Sequence, residues 1–279
     1  MATVNEKMTA IADAIRDKTG LENALTLDDM AADIPKVYDA GKQAEYDEFW
    51  DKLQRNGTRT NYAYTFARWT LDIFKPKYDM KVQNATYMFE NFNSVNNVNS
   101  KENVDLVELL GEANVTIDFS ECTSFQNWLM WANITHIGVI DCKSLTGEFR
   151  CYYAHQLKTI DKLILYEGNG TTFNWEGCNW LTNITIEGVI ERAFDIHYTK
   201  RLTHESLFGK KVTTEEASSL PNTNVVELNG VYYYGGIIPA LKDLTGSGKT
   251  LTLTIGSDNL AKLTDSEKAI ATQKGWTLA

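Results

Sequence analysis

Four phenylalanines recur at a nearly fixed interval, and that interval is the strongest constraint on how this chain folds. Phe125, Phe149 and Phe173 are 24 residues apart, and Phe194 follows 21 later. An apolar pair trails each one: Ile134 and Ile137, Leu157 and Ile160, Leu181 and Ile184, then Leu202 alone. The units read SFQNWLMWANITHI, EFRCYYAHQLKTI, TFNWEGCNWLTNI and AFDIHYTKRLTHE, each preceded by a short β-rich stretch such as VTIDF, GVIDC, KLILY or ITIEGVI. No unit of this size buries its own apolar face, so stability must come from stacking one copy on the next.

A period of 21–24 residues is in the range of leucine-rich repeats, where each unit supplies a strand and a turn. The rest of the chain frames the repeats. Met8, Ile11, Ala12 and Ile15 follow helical spacing, with Thr19-Gly20 as a stop. Thr26 and Asp29 resemble a capping box, and Pro35 suits the first turn of a helix reaching about Leu53 before Asn56-Gly57 breaks it. Residues 58–83 form an aromatic joint in which Tyr62, Tyr64 and Phe66 alternate like a strand. Residues 103–111 predict a helix. About 208–236 reads as an inserted hairpin, followed by a helix (IIPALKDL), a Gly-Ser-Gly turn and a strand (KTLTLTI). At the end, Thr264 and Glu267 make a capping box, Gly275 a stop and WTLA a strand. The expected fold class is α+β: a helical head at 1–57, then an irregular leucine-rich-repeat-like β-solenoid over 84–279 with a C-terminal helix–strand cap.

The composition narrows the function classes. With 43% hydrophobic and 23% charged residues the chain is neither disordered nor collagen-like. A net charge of −10 disfavours nucleic acid as a partner. No apolar run approaches the roughly 18 residues needed for a membrane span. The first residues lack the pattern of a secretory leader, so manufacture in a reducing cytoplasm is expected.

No residue constellation predicts catalysis, a metal or a cofactor. GSGKT at 246–250 lacks the leading glycine of a phosphate loop, Asp243 standing there, and follows a helix pattern rather than a strand. His136, His155, His197 and His204 form neither HxxxH nor HExxH. Cys122, Cys142, Cys151 and Cys178 form no CxxC pair and read as small buried hydrophobes. The aspartates of the recurring Ile-Asp pairs, 118, 141 and 161, read as turn caps on backbone amides.

If the repeat phenylalanines point inward, alternation puts Gln126 and Trp128, Arg150 and Tyr152, Asn174 and Glu176, and Asp195 and His197 on the opposite face. Trp131, Tyr153, Trp175, Trp180 and Tyr198 lie nearby. Aromatic residues mixed with polar ones suit contact with protein or carbohydrate, so Trp128, Trp131, Arg150, Tyr152, Tyr153, Trp175, Trp180 and Tyr198 are the candidate binding residues. The Met8, Ile11 and Ile15 stripe is the candidate for self-association.

Two stretches carry a family resemblance. MTAIADAIRDKTGLENALTLDDMAADIPKV resembles a segment recurring in predicted tail and tail-fibre proteins of phages and prophages of Gram-positive gut bacteria. YDEFWDKLQRNGTRTNYAYTFARWTLDIFKPKYDM, IDKLIL, LTNITIEG and the ending LTLTIGSDNLAKLTDSEKAIATQKGWTLA resemble BspA-type leucine-rich-repeat proteins. The resemblance covers nearly all of the chain except about 208–236. It implies a non-enzymatic virion component at the tail tip, fibre or baseplate, a homo-oligomer that meets other tail proteins and a host-surface glycan or protein. A purely structural tail protein packed against sister subunits is the alternative. A bacterial surface adhesin is disfavoured by the missing export signal, and a glycan hydrolase has no motif behind it.

Overall fold

The computed structural model describes residues 4–19, 44–45, 47–48, 50, 61–71, 73–94, 102–169 and 172–279. The chain divides into two compact units, Met1–Thr58 and Arg59–Ala279. In the first, helix α1 (Val4–Thr19) buries Ala12 and Ile15 and leaves Ile11 48% exposed. The expected self-association stripe is therefore split: Ile15 faces the interior and Ile11 the solvent. The side chain of Met8 lies outside the described residues. Residues 44, 45, 47, 48 and 50 are helical, and Trp50 is buried. The readings at Gly20, Thr26–Asp29, Pro35 and Asn56-Gly57 all lie outside the described residues.

The second unit is built from parallel sheets. Strands β1 (Met80–Lys81) and β3 (Ile117–Asp118) form a two-stranded sheet. The four-stranded sheet runs β2 (Val104–Asp105), β5 (Ile134–Asp141), β7 (Thr159–Leu165), β9 (Asn183–Gly188). The six-stranded sheet runs β15 (Trp276–Leu278), β14 (Leu251–Thr254), β10 (Phe194–Asp195), β8 (Phe173–Asn174), β6 (Phe149–Arg150), β4 (Phe125–Gln126). In it Phe125 pairs with Phe149, Phe149 with Phe173 and Phe173 with Phe194, the partner of Leu253. In the four-stranded sheet Ile137, Ile160 and Ile184 align, as do Ile140, Leu163 and Ile186. All of these side chains are buried. Fully burying an aliphatic or phenyl side chain stabilises by roughly 1.5–3 kcal/mol, so each member of these aligned rows contributes on that scale to the fold.

The expected α+β leucine-rich-repeat-like solenoid is not what these residues form. The fold is mixed and sheet-rich, with two large parallel sheets, short helices and a three-stranded antiparallel sheet. The physical reason lies within one period. A unit supplies two strands, a two-residue one to the six-stranded sheet and a six- to eight-residue one to the four-stranded sheet, rather than a single strand and turn.

Residues 61–94 correct a second expectation. Tyr62, Tyr64 and Phe66 belong to a turn, not to a strand. The N–H groups of Tyr62, Tyr64, Phe66 and Arg68 donate to the carbonyls of Asn84, Thr86, Met88 and Glu90 at 2.7–3.0 Å. Those of Ala85, Tyr87, Phe89 and Asn91 donate in turn to Ser124, Gln126, Trp128 and Met130 at 2.8–2.9 Å. Asn61 and Asn84 each start their turn by accepting from the amide two residues on, Ala63 at 3.1 Å and Thr86 at 2.9 Å. Phe66, Phe74, Phe89 and Phe92 interlock beneath, Phe66 lying 4.9 Å from Phe74 and 5.4 Å from Phe89.

Helix α2 (Leu106–Ala113) is capped by the Asp105 carboxylate, which accepts from Val107 and Glu108 at 3.0 Å. At 210–234, β11 (Lys210–Val212), β12 (Val225–Leu228) and β13 (Val231–Tyr234) make an antiparallel sheet in the order β11-β13-β12, with helix α4 (Thr214–Ser219) between the first two; α3 (His204–Phe208) precedes them. Asn229-Gly230, both at positive φ, form the β12–β13 turn. IIPALKDL is not a helix: Ile237–Ala240 form turns, and Leu241 makes a parallel bridge to Ile190. Pro239 cannot donate, and the amide of Ile190 donates to Ala240 at 2.6 Å while that of Lys242 donates to Ile190 at 2.8 Å. The capping box of Thr264 and Glu267 is present, opening helix α6 (Asp265–Gln273), and Gly275 at φ 83° ends that segment before β15. A short helix, α5 (Ser257–Leu260), follows β14.

Candidate recognition face

The turns that follow the two-residue strands carry most of the residues singled out from the sequence. Two of them are not on the surface. Trp128 is fully buried, its ring 5.4 Å from both Phe119 and Phe125. Asn127 adopts a left-handed backbone at φ 48°, which ends the alternation after Gln126 and returns Trp128 to the interior. Trp175 is also fully buried, 4.9 Å from Phe149, because it stands two residues after Phe173 and shares its side. Both are core residues, and the expectation that they contact a partner is withdrawn.

The other six lie at the surface in part or in full. Trp131 is half-buried, and its amide donates to Tyr153 O at 3.2 Å. The Arg150 guanidinium lies 5.9 Å from the Tyr152 ring centre and pairs with Glu148 at 2.9 Å. Tyr152 and Tyr153 touch through their hydroxyls at 3.3 Å, and the Tyr152 hydroxyl donates to Glu176 at 3.5 Å. The hydrogen bond to Tyr153, together with burial and the Glu176 charge, pushes the Tyr152 phenol up to about 12. Glu176 reaches His197 Nε2 at 3.4 Å, and Asp195 bonds His197 Nδ1 from the other side. The imidazole of His197 lies 4.3 Å from the ring of Tyr198. A continuous band thus runs from Arg150 to Tyr198 across three turns.

The band ends in an open cleft of about 450 Å³. Trp180, 41% exposed, and Tyr198, 66% exposed, line it. Arg201 lays its guanidinium over the Trp180 ring at 3.5 Å, and Asn179, Lys200 and Asp258 complete the rim. The loop bearing Tyr198 is held from beneath. Asn259, fully buried, donates to the carbonyls of Thr199 at 3.0 Å and Ile255 at 2.9 Å. Lys262 Nζ donates to Lys200 O at 2.9 Å, Leu202 O at 2.5 Å and Asn259 Oδ1 at 2.7 Å. Burial lowers the pKa of that ammonium, against the pull of Asp258.

Asn179, Lys200, Arg201, Asp258, Asn259 and Lys262 escaped sequence reasoning. Positions 179–201 and 255–262 are distant in sequence and come together where β10 pairs with β14. The upstream turns did leave a signal: NYAYTFARW at 61–69 and NATYMFENF at 84–92 share Asn, Tyr and Phe at the same offsets. In both, and in the turn of 124–132, the residues three and seven beyond the first are left-handed: Tyr64 and Arg68, Tyr87 and Asn91, Asn127 and Trp131. The Tyr64 and Tyr87 rings stack at 4.8 Å, and Asn127 donates to the Tyr87 hydroxyl at 3.2 Å.

Away from this face, Asp118 and Asp141 cap turns as expected, accepting from Ser120 at 2.8 Å and Lys143 at 2.9 Å. Asp161 instead faces His136, whose Nε2 lies 2.8 Å from it while Nδ1 lies 2.9 Å from Asp105. All four cysteines are free and buried, as expected of small core residues, and burial drives the thiol of Cys122 to about 11. Among the described residues no group of His, Cys, Asp and Glu is arranged to hold a metal ion, and no helix is long and apolar enough to cross a membrane. Compared with known proteins, the chain matches no family model, no curated protein and no solved structure.

Proposed function

We propose that this chain is a non-enzymatic recognition protein of a virion tail that contacts a glycan or protein on the host surface. One observation carries the reading. Tyr64 and Tyr198, more than half exposed, occupy left-handed backbone at φ 57° and 67°, and Trp131 and Tyr153 share that conformation. An L-residue in this region costs roughly 1–2 kcal/mol, and Gly or Asn fills it more cheaply. Holding exposed aromatic rings where the backbone favours Asn or Gly is a local conflict of the kind found at functional positions. The carboxylates of the band are all engaged, Glu148 with Arg150 and both Glu176 and Asp195 with His197, which suits a fixed contact surface better than acid–base work. The tail setting rests on the resemblance of the first 35 or so residues.

The deciding measurement is binding of the purified chain to candidate host cells, with Tyr64→Asn and Tyr198→Asn together as the altered form. Native binding that the double variant loses, at unchanged circular dichroism, supports recognition through this face. Release of reducing sugars from cell-wall polysaccharide would overturn the non-enzymatic reading. A structural role between sister subunits has its own support in two exposed aliphatic residues, Ile11 on α1 and Val139 on β5, at 48% and 50%. Oligomers in sedimentation that Ile11→Lys or Val139→Lys dissociates, with no binding to cells, would favour it.

A further inference from the structure

We propose that the cleft between Trp180, Tyr198 and Asp258 binds an acidic saccharide, a sugar bearing a carboxylate or phosphate group. The inference rests on the recognition reading above and names its ligand class. Trp180 and Tyr198 give two exposed rings on which the C–H face of a sugar can lie. A neutral ligand would need no more than hydrogen bonds beside them, yet the rim carries two adjacent cations, Lys200 and Arg201, in a chain whose net charge is −10. Among the described residues neither cation has a carboxylate partner, unlike Lys81, Lys162 and Lys242, which pair with Glu121, Glu187 and Glu191. Stacking on Trp180 fixes the plane of the Arg201 guanidinium while leaving its N–H edge free to fork onto an anion. Asn179 offers both a donor and an acceptor, and Asp258 accepts from hydroxyls, so polyols are served as well as charge. The loop is already held by Asn259 and Lys262, so little ordering is left for the ligand to impose.

Calorimetric titration of the full chain with oligogalacturonate, a sialyl-oligosaccharide and a phosphomannan, each beside its neutral parent sugar and inorganic phosphate, tests this. At least one acidic sugar is expected to bind, weakening as salt rises, and to lose affinity by about tenfold or more in Trp180→Ala and in the Lys200→Gln, Arg201→Gln pair. These side chains are at the surface, so circular dichroism and thermal unfolding should match the native chain. Equal affinity for the neutral parents would remove the anionic component. Phosphate binding as tightly as the sugars would reduce the cleft to a simple anion site, and no binding by any acidic sugar at millimolar concentration would overturn the proposal. Cell binding that survives Trp180→Ala would overturn it while leaving recognition standing. Saccharide binding by a chain that attaches to no cell would sink the recognition reading alone.

Discussion

Phe149 and Phe173 are in-register partners in adjacent parallel strands, with ring centres 5.1 Å apart. Phe149 also stands 4.9 Å from Phe125, so it is touched from both sides and has no exposed atom to relax into. Phe149→Ala is expected to destabilise the chain by about 3–5 kcal/mol, since a phenyl-sized gap in a stacked row collapses poorly. Urea unfolding followed by tryptophan emission measures it. A cost below about 1 kcal/mol would show that the row does not hold the six-stranded sheet together.

Trp128 and Tyr198 were grouped by sequence and are separated by structure. Trp128→Ala should cost about 3–5 kcal/mol, whereas Tyr198→Ala should stay within about 0.5 kcal/mol of the native chain. Tyr198→Asn should be neutral or stabilising, because Asn tolerates the left-handed backbone better. Thermal melts of the three variants side by side decide the matter, and an unstable Tyr198→Asn would show the ring to be structural.

Gly177 has φ 78°, and a Cβ there would meet Tyr153 Cδ1 at 2.6 Å. Gly177→Ala should therefore displace the Tyr153 ring and destabilise by about 1–3 kcal/mol, combining backbone strain with a side-chain clash. Loss of the hydroxyl contact with Tyr152 should bring the Tyr152 phenol down from its raised pKa, which ultraviolet titration of the tyrosines would detect.

His136 between Asp105 and Asp161 makes stability depend on pH. Burial opposes its protonation, but hydrogen bonds to Asp161 and Asp105 outweigh this and raise its pKa above 6.5. A raised imidazole contributes stability that is complete below its unfolded pKa and is lost as pH rises through the folded one. Asp105 has the opposite sign. Burial works against ionisation, but the amides of Glu108 and Val107 and the imidazole hold its pKa below 3.8, so its contribution is lost as pH falls through the folded value. The assembly should thus help most between about pH 4 and 6.5. His136→Asn is expected to flatten the melting temperature across pH 5–8; an unchanged slope would exclude this cluster as its source.

Asn259 donates to two buried carbonyls at once, and Asn259→Ala leaves both without that donor. The expected cost is about 1–3 kcal/mol, with faster hydrogen exchange confined to residues 196–202 and 255–258. Uniform exchange across the second unit instead would mean that the loop is held by other contacts.

What could be read from the sequence was what depends on neighbours along the chain. The Phe register, the cap at Thr264 and the buried cysteines all follow from local patterns. Which sheet receives each strand did not, because periodicity reports spacing and not partners. The first two turns were hidden for a specific reason: Tyr62 and Ala85 stand where later units have phenylalanine, and α2 stretches the interval from Asn84 to Ser124. Trp128 was misplaced by one left-handed residue, Asn127, that no period encodes. The cleft was legible only as two rings, Trp180 and Tyr198, since Arg201 reaches it by stacking on Trp180 and its floor is pinned by residues from beyond an excursion.

That excursion has a practical meaning. The chain leaves the six-stranded sheet at Asp195 and comes back at Leu251 with Phe194 still opposite Leu253. Most of what lies between is fixed, by Leu207, Phe208, Ile237 and Ile238 in the core and by the Leu241–Ile190 bridge, so added length is tolerated at an exposed turn, where closing a longer loop costs little more than closing a short one. The Asn229-Gly230 tip is thus a natural insertion point, where a foreign peptide could ride on the scaffold as a passenger without disturbing the ladder beneath.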